Sequence, residues 1–297
     1  MEKSTFFIFF ILFSIVLTFG CLTKPITGSK VGSGQINATV LVNGRPGTIL
    51  NLVSEQNAQI SLDLKNSGLR DMTNVQGRIF GCLTRSPGDG LIRTETESLI
   101  PPNGRTFFTW DVKALKLSSS EQMSCPIIIR ICYDYESVGQ TQLKFVPETY
   151  TGEPEIATST VTSDMFNMDF QFGTMRVLER SENIINGAIY IRNVGPGFVG
   201  YMTSEGNPSR NQLRKLTLEI SGDDILIDSI GGKPFGKEKA ELMYSDDKYS
   251  YLTEFIQGKE NYLRVALDVT DSEKFQKSPQ TRTLTVTAEH GYCLDIA

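Results

Sequence analysis

Leu62-Asp63-Leu64-Lys65-Asn66-Ser67-Gly68 and Ile189-Tyr190-Ile191-Arg192-Asn193-Val194-Gly195 share one pattern: apolar, any, apolar, basic, Asn, any, Gly. Alternation of apolar and polar residues marks a half-buried strand. The asparagine can hydrogen-bond its own backbone where the strand ends, and the glycine is expected to supply the positive φ of a turn. The match extends outward. Val75–Gly81 (VQGRIFG) lies beside Leu216–Gly222 (LTLEISG), and each half closes on an apolar strand ending in tyrosine, Ile127–Tyr135 and Leu284–Tyr292. Two copies of one β unit is the economical reading.

The remaining strands follow from the same periodicity. Ile60, Leu62 and Leu64 alternate with Gln59, Ser61, Asp63 and Lys65, and Thr106–Val112 (TFFTWDV) is rich in the aromatic and β-branched residues strands prefer. Cys125–Tyr135 (CPIIIRICYDY) puts Ile127, Ile129, Ile131 and Tyr133 on one face, and Gln140–Val146 is expected to turn back on it as a hairpin. No amphipathic helix stands out. The expectation is an all-β chain of two tandem β-sandwiches, residues 37–148 and 155–297, joined at Pro147–Pro154 (PETYTGEP). The second unit looks as though it stops where a final strand should begin.

The first residues obey different rules. Phe6–Phe19 (FFIFFILFSIVLTF) is apolar apart from Ser14 and Thr18, and Gly20-Cys21 follows. Such a run suits the hydrophobic region of a secretory signal, so residues 1–21 are read as a signal peptide or membrane anchor. Leu17–Cys21 resembles a prokaryotic lipobox, which makes Cys21 a lipidation candidate; the alternative is an uncleaved anchor from Thr5 to about Leu22. Residues 22–36, rich in Gly, Ser, Thr and Lys, read as a flexible tether. The expected location is the extracytoplasmic face of the cell membrane. A net charge of −5 argues against a nucleic-acid partner, and a single histidine, His290, removes most triads and zinc sites.

The order strand, Asn66-Ser-Gly68, strand, Leu99-Ile-Pro-Pro-Asn-Gly104, aromatic strand Phe107-Phe-Thr-Trp110, tyrosine strand resembles the immunoglobulin-like adhesion-type domains of prokaryotic, especially archaeal, surface proteins. The resemblance covers residues 37–148 well and 155–297 loosely, and the second unit lacks a clear Leu-x-Pro-x-Gly. It implies immunoglobulin-like sandwiches, and its motifs speak to fold more than to function. In that strand order the end of the Cys82 strand meets the start of the Cys125 strand, which implies a Cys82–Cys125 disulfide. Cys132 and Cys293 are left to pair across the junction, or Cys132 is a buried free thiol.

No phosphate loop, nucleophile elbow, His-Glu-x-x-His or Cys-x-x-Cys is present, so no catalytic residue, cofactor or metal ligand is assigned and the chain is expected not to be an enzyme. His290 reads as structural. Asp223, Asp224 and Asp228, like Asp246 and Asp247, read as solvated turns. Tyr244, Tyr249, Tyr251 and Phe255 read as core. Asn37-Ala38-Thr39 is an N-glycosylation sequon. The long segment after Gly195 carries Phe198, Tyr201 and Met202 and is the candidate binding loop. These features suggest a membrane-anchored binding or structural protein of the cell envelope, held to the membrane by its N-terminus and engaging a protein partner at the surface. The alternative is a subunit of a surface appendage or secretion assembly that associates through an open sheet edge.

Overall fold

The computed structural model describes residues 31–33, 36–47, 52–85, 94–118, 123–124, 126–152, 159–161, 165–173, 175–178, 183–200, 211–246, 248–257 and 259–296. The signal or anchor segment, Cys21 and most of the tether lie outside them. Strands of three sheets account for most of what is described. A nine-stranded central sheet runs β18 (Lys239–Met243), β15 (Lys215–Ile220), β20 (Gln280–Ile296), β9 (Ile128–Pro147), β5 (Met72–Phe80), β7 (Glu95–Ile100). Short strands β10 (Ser159–Val161) and β12 (Met175–Val177) add to β9, and β14 (Phe198–Val199) adds to β20. A six-stranded sheet holds β1 (Val31–Ser33), β2 (Ile36–Val42), β4 (Asn57–Asn66), β8 (Arg105–Ala114) and β6 (Leu83–Arg85), with β3 (Arg45–Pro46) on β2. A five-stranded sheet holds β11 (Phe166–Phe172), β13 (Ile184–Asn193), β19 (Glu260–Val269), β16 (Ile225–Ile230) and β17 (Lys233–Lys237).

The molecule is organised by β9 and β20, which pair antiparallel without a register break from Ile129↔Ile296 to Phe145↔Gln280. The hairpin expected between Cys125–Tyr135 and Gln140–Val146 does not form, because β9 runs straight through Glu136–Gly139 as one strand. Ser137 and Gly139 imitate turn residues for a non-local reason. Both sit on the buried face, where Ser137 meets His290 and a Cβ on Gly139 would lie 2.6 Å from Met168 Sδ of β11. The small side chains admit the five-stranded sheet.

Because side chains alternate along a strand, Ile129, Ile131, Tyr133, Tyr135, Leu143 and Phe145 share one buried face of β9. The six-stranded sheet covers one end of that face: a Cβ on Gly77 would touch Phe108, Trp110 and Ile131. The five-stranded sheet covers the other end through Met168. Both halves therefore share a sheet and one continuous apolar core, which includes Trp110, Ile131, Leu216 and Leu263. The opposite face of the central sheet is polar, with Thr281, Thr283, Thr285 and Thr287 in a row along β20.

The repeat is visible in the topology. β2–β4–β8 in one sheet corresponds to β11–β13–β19 in the other, and the central order places β5 and β9 back to back with β15 and β20. With Tyr135 laid on Tyr292, Asp134 falls on Gly291, and the ladder pairs those two residues. The halves are thus related by a pseudo-two-fold between their closing strands. β20, the last strand described, is paired with β9 on one side and, over parts of its length, with β15 and β14 on the other.

Both Asn-x-Gly turns form, with one correction. Asn66 Oδ1 accepts from Gly68 N (2.9 Å), and Asn193 Oδ1 accepts from Gly195 N (3.2 Å). Neither glycine has a positive φ; the matched pair that does is Gly81 (+145°) and Gly222 (+96°), one strand later. Gly195 is needed for space, since a Cβ there would stand 2.2 Å from Tyr292 Oη. Asn66 also donates to the carbonyls of Arg70 (2.8 Å) and Ile100 (2.9 Å), fastening the Pro101–Gly104 turn to the end of β4. In the second half the backbone makes the matching tie: Asn193 N donates to Lys259 O (2.7 Å), as Asn66 N does to Gly104 O (3.0 Å). Asn66 is fully buried. Asn66→Ala strands these backbone groups and is expected to cost about 3 kcal/mol, read from the urea midpoint; a shift worth under about 1 kcal/mol would show that water replaces them.

One element was not expected. The helix α1 (Ser272–Lys277) is capped by Asp271 and buries Phe275, whose ring stands 5.4 Å from that of Phe145.

Candidate functional site

The β9–β20 ladder carries the most distinctive chemistry of the described residues, on both of its faces. On the polar face Cys132 and Cys293 stand directly opposite and form a disulfide, with their Cα atoms 4.1 Å apart. Both are buried. Phe198 packs against the bond, and Gly200 O lies 3.3 Å from Cys293 Sγ. The left-over cysteines of the sequence are therefore a cross-strand staple, and Cys132 is not a free thiol. Cys82 is also disulfide-bonded; its expected partner, Cys125, lies outside the described residues.

Beside the staple opens a cleft of about 460 Å³ at the pseudo-two-fold, to which both halves contribute. Arg70, Asp71, Thr73 and Asn74 come from the start of β5 and the loop before it. Asp134 and Glu136 come from β9, Arg214 from the residue just before β15 and Glu289 from β20. Glu136 and Glu289 are cross-strand partners, an arrangement of like charges that costs stability unless cations offset it. Arg70 meets Glu136 (2.8 Å), and Lys215 reaches Glu289 (3.8 Å) and Glu241 (2.9 Å). Asp134 is gripped by Asn74 Nδ2 (2.7 Å) and Arg214 (2.6 Å). These pairs are partly solvated, so each is weak and exchangeable. The cleft offers guanidinium donors and carboxylate acceptors at its rim, which suits polar recognition.

Behind it, on the buried face, His290 Nε2 lies 3.0 Å from Ser137 Oγ. A serine and an imidazole at this distance are the first two members of a nucleophilic relay. Here both are sealed in the core, 0% and 1% exposed, and Nδ1 faces the Gly291 carbonyl (3.4 Å) where a relay would place a carboxylate. Phe166 packs on the ring at 4.3 Å, and burial lowers its pKa to about 3. The arrangement holds a neutral, buried imidazole at the back of the cleft, which His290 and Tyr135 also line. Among the described residues no group of three or more His, Cys, Asp or Glu side chains is placed to hold a metal ion.

The other expected positions divide. Phe198 belongs to strand β14, half-buried beside the disulfide with the Arg130 guanidinium 5.5 Å from its ring, and so is not on a free loop. Tyr201 and Met202 lie outside the described residues. Phe255 is core, whereas Tyr244 and Tyr251 are exposed. Asp223 is exposed as expected, but Asp224 is not a solvated turn residue. It is buried and held by Arg282, whose Nε donates at 3.0 Å, and the guanidinium keeps its carboxyl below the usual range. Asp224→Ala leaves Arg282 without its partner and is expected to cost about 3 kcal/mol in thermal or urea unfolding; a variant as stable as the parent would show that solvent already screens the pair. Asp246 pairs with Lys233, and Asp247 lies outside the described residues.

No family model matches this chain, and no curated protein matches its sequence. Fold and site stand on their own geometry.

Proposed function

We propose that the chain is a membrane-anchored, extracytoplasmic binding or structural protein of the cell envelope. It is built from two immunoglobulin-like sandwiches fused through their last strands, akin to the adhesion-type domains its motifs resemble. The observation that carries the reading is the buried Cys132–Cys293 disulfide on the strand ladder that joins the halves. Stable structural disulfides belong to oxidising compartments outside the cytoplasm, and the apolar Phe6–Phe19 run supplies the route there. The chain works by contact and not by catalysis, and the polar cleft at the junction is where a protein partner docks. Assembly through an open sheet edge, suggested by a final strand the second half looks to lack, is the weaker reading, because β20 has β9 on one side and β15 and β14 on the other.

On intact cells of the organism that makes the protein, external protease is expected to remove the folded part while a cytoplasmic marker survives. Thiol labelling after denaturation without reductant is expected to leave Cys82, Cys132 and Cys293 unmodified. Full protection together with labelled cysteines would end the extracytoplasmic assignment. An intact N-terminus beginning at Met1, read by mass, would exclude lipidation of Cys21. Arg70→Glu with Arg214→Glu is expected to lose at least tenfold of whatever protein co-purifies from the native membrane; retention would move docking away from the cleft.

A further inference from the structure

We propose that Asn37 carries an N-linked glycan seated on the outer face of the six-stranded sheet; the inference rests on the extracytoplasmic reading above. The sequon Asn37-Ala38-Thr39 lies within β2, where alternation decides what each residue faces. Ala38 is buried, 1% exposed, while Asn37 is exposed and Thr39, two residues on, shares its side of the sheet. Carrier and hydroxyl thus both point away from the core, so a glycan added to the nascent chain does not obstruct folding.

The surroundings leave room for a sugar. On one side the residue opposite Asn37 is Gly32, which has no side chain to occupy the space. On the other side a groove of about 370 Å³ is lined by Asn37, Ala38, Thr39, Asp63, Lys65 and Arg105. Its charged groups are hydrogen-bond donors and acceptors of the kind that sugar hydroxyls use. Beyond it Phe107 lies across β4 from Thr39, 57% exposed under the Arg105 guanidinium, and offers an apolar face to a second sugar ring. A large exposed aromatic on a polar sheet face acquires a cover by this arrangement.

The chemistry balances with one co-reactant, an oligosaccharide activated on a lipid phosphate. The Asn37 amide nitrogen forms a C–N bond to the anomeric carbon as the bond from that carbon to the phosphate oxygen breaks. The lipid phosphate leaves with the electron pair, and the amide loses one proton. The proton that remains on Nδ2 can keep the present hydrogen bond to Ser67 Oγ (2.8 Å).

The test uses the full chain made in its native cells. Tryptic peptide Val31–Lys65 (Arg45 is followed by proline) is expected to carry an oligosaccharide mass, placed on Asn37 by fragmentation. Asn37→Gln and Thr39→Ala are expected to abolish that mass and Thr39→Ser to keep it. An unmodified peptide from chains that external protease can digest overturns the glycan and leaves the location standing. An unmodified peptide from protease-protected chains overturns both.

Discussion

Changing Cys132 and Cys293 together to alanine is expected to lower the free energy of unfolding by about 3–5 kcal/mol. The bond joins residues 161 apart in sequence, so cutting it restores to the unfolded chain the freedom of a very long loop. In the chain-entropy picture the cost grows with the logarithm of that length. The double change is the informative one, because a single change would leave one buried thiol and confuse packing with cross-linking. Denaturant unfolding of oxidised parent and variant at neutral pH measures the difference. The oxidised parent is further expected to resist millimolar reductant until denaturant exposes the sulfurs, since Phe198 and Gly200 cover them. A loss below about 1 kcal/mol would mean that the β9–β20 ladder holds itself together and the unfolded chain gains little from release.

Much of this architecture was legible, and the misses have a common cause. Ile60, Leu62 and Leu64 alternate with polar neighbours because one face of β4 meets the core, and that condition is written locally. The repeat was legible for the same reason, since each Asn-x-Gly turn closes its hydrogen bonds within a few residues. Ser137 and Gly139 look locally like a turn because the partners that require them, His290 and Met168, are distant in sequence and belong to the second half. The continuous strand β9, the unbroken central sheet and the pairing of β20 with the first half all depend on that one juxtaposition. Counting cysteines showed that Cys132 and Cys293 were available; only the register of the ladder shows that they face each other.

The cleft was less legible still. Arg70, Asp134, Glu136, Arg214 and Glu289 are ordinary surface residues of separate strands and loops, and none stands in a pattern that local chemistry would single out. Their convergence is a product of the pseudo-two-fold, which brings the start of β5 and the start of β15 to the same stretch of the ladder. Asp224 reads locally as a solvated turn because its partner, Arg282, enters from a strand 58 residues away.

Lowering the pH from 7 toward 3 is expected to remove about 4–5 kcal/mol of stability through His290 alone, at roughly 1.4 kcal/mol per pH unit once below the unfolded-state value. The ring is buried among Phe166, Tyr135 and Tyr292. Burial lowers its pKa from 6.5 to about 3, with the Gly291 carbonyl opposing the shift only in part. Between those values the unfolded chain holds a proton that the folded chain refuses. The stability contribution is therefore complete above pH 6.5 and is lost as pH falls toward the folded-state value. His290 is the chain's one histidine, and ordinary carboxylates remain ionised above pH 5. Proton uptake on unfolding between pH 5 and 6 thus reports this ring almost alone. His290→Gln keeps a hydrogen-bonding side chain beside Ser137 without a titrating group, and is expected to flatten the slope in that window while costing about 1–3 kcal/mol at pH 7 from imperfect packing. Unfolding free energies at pH 7, 6 and 5 decide the matter. A parent as stable at pH 5 as at pH 7 would show that His290 can be protonated in the folded protein, and that the core at the junction opens to water.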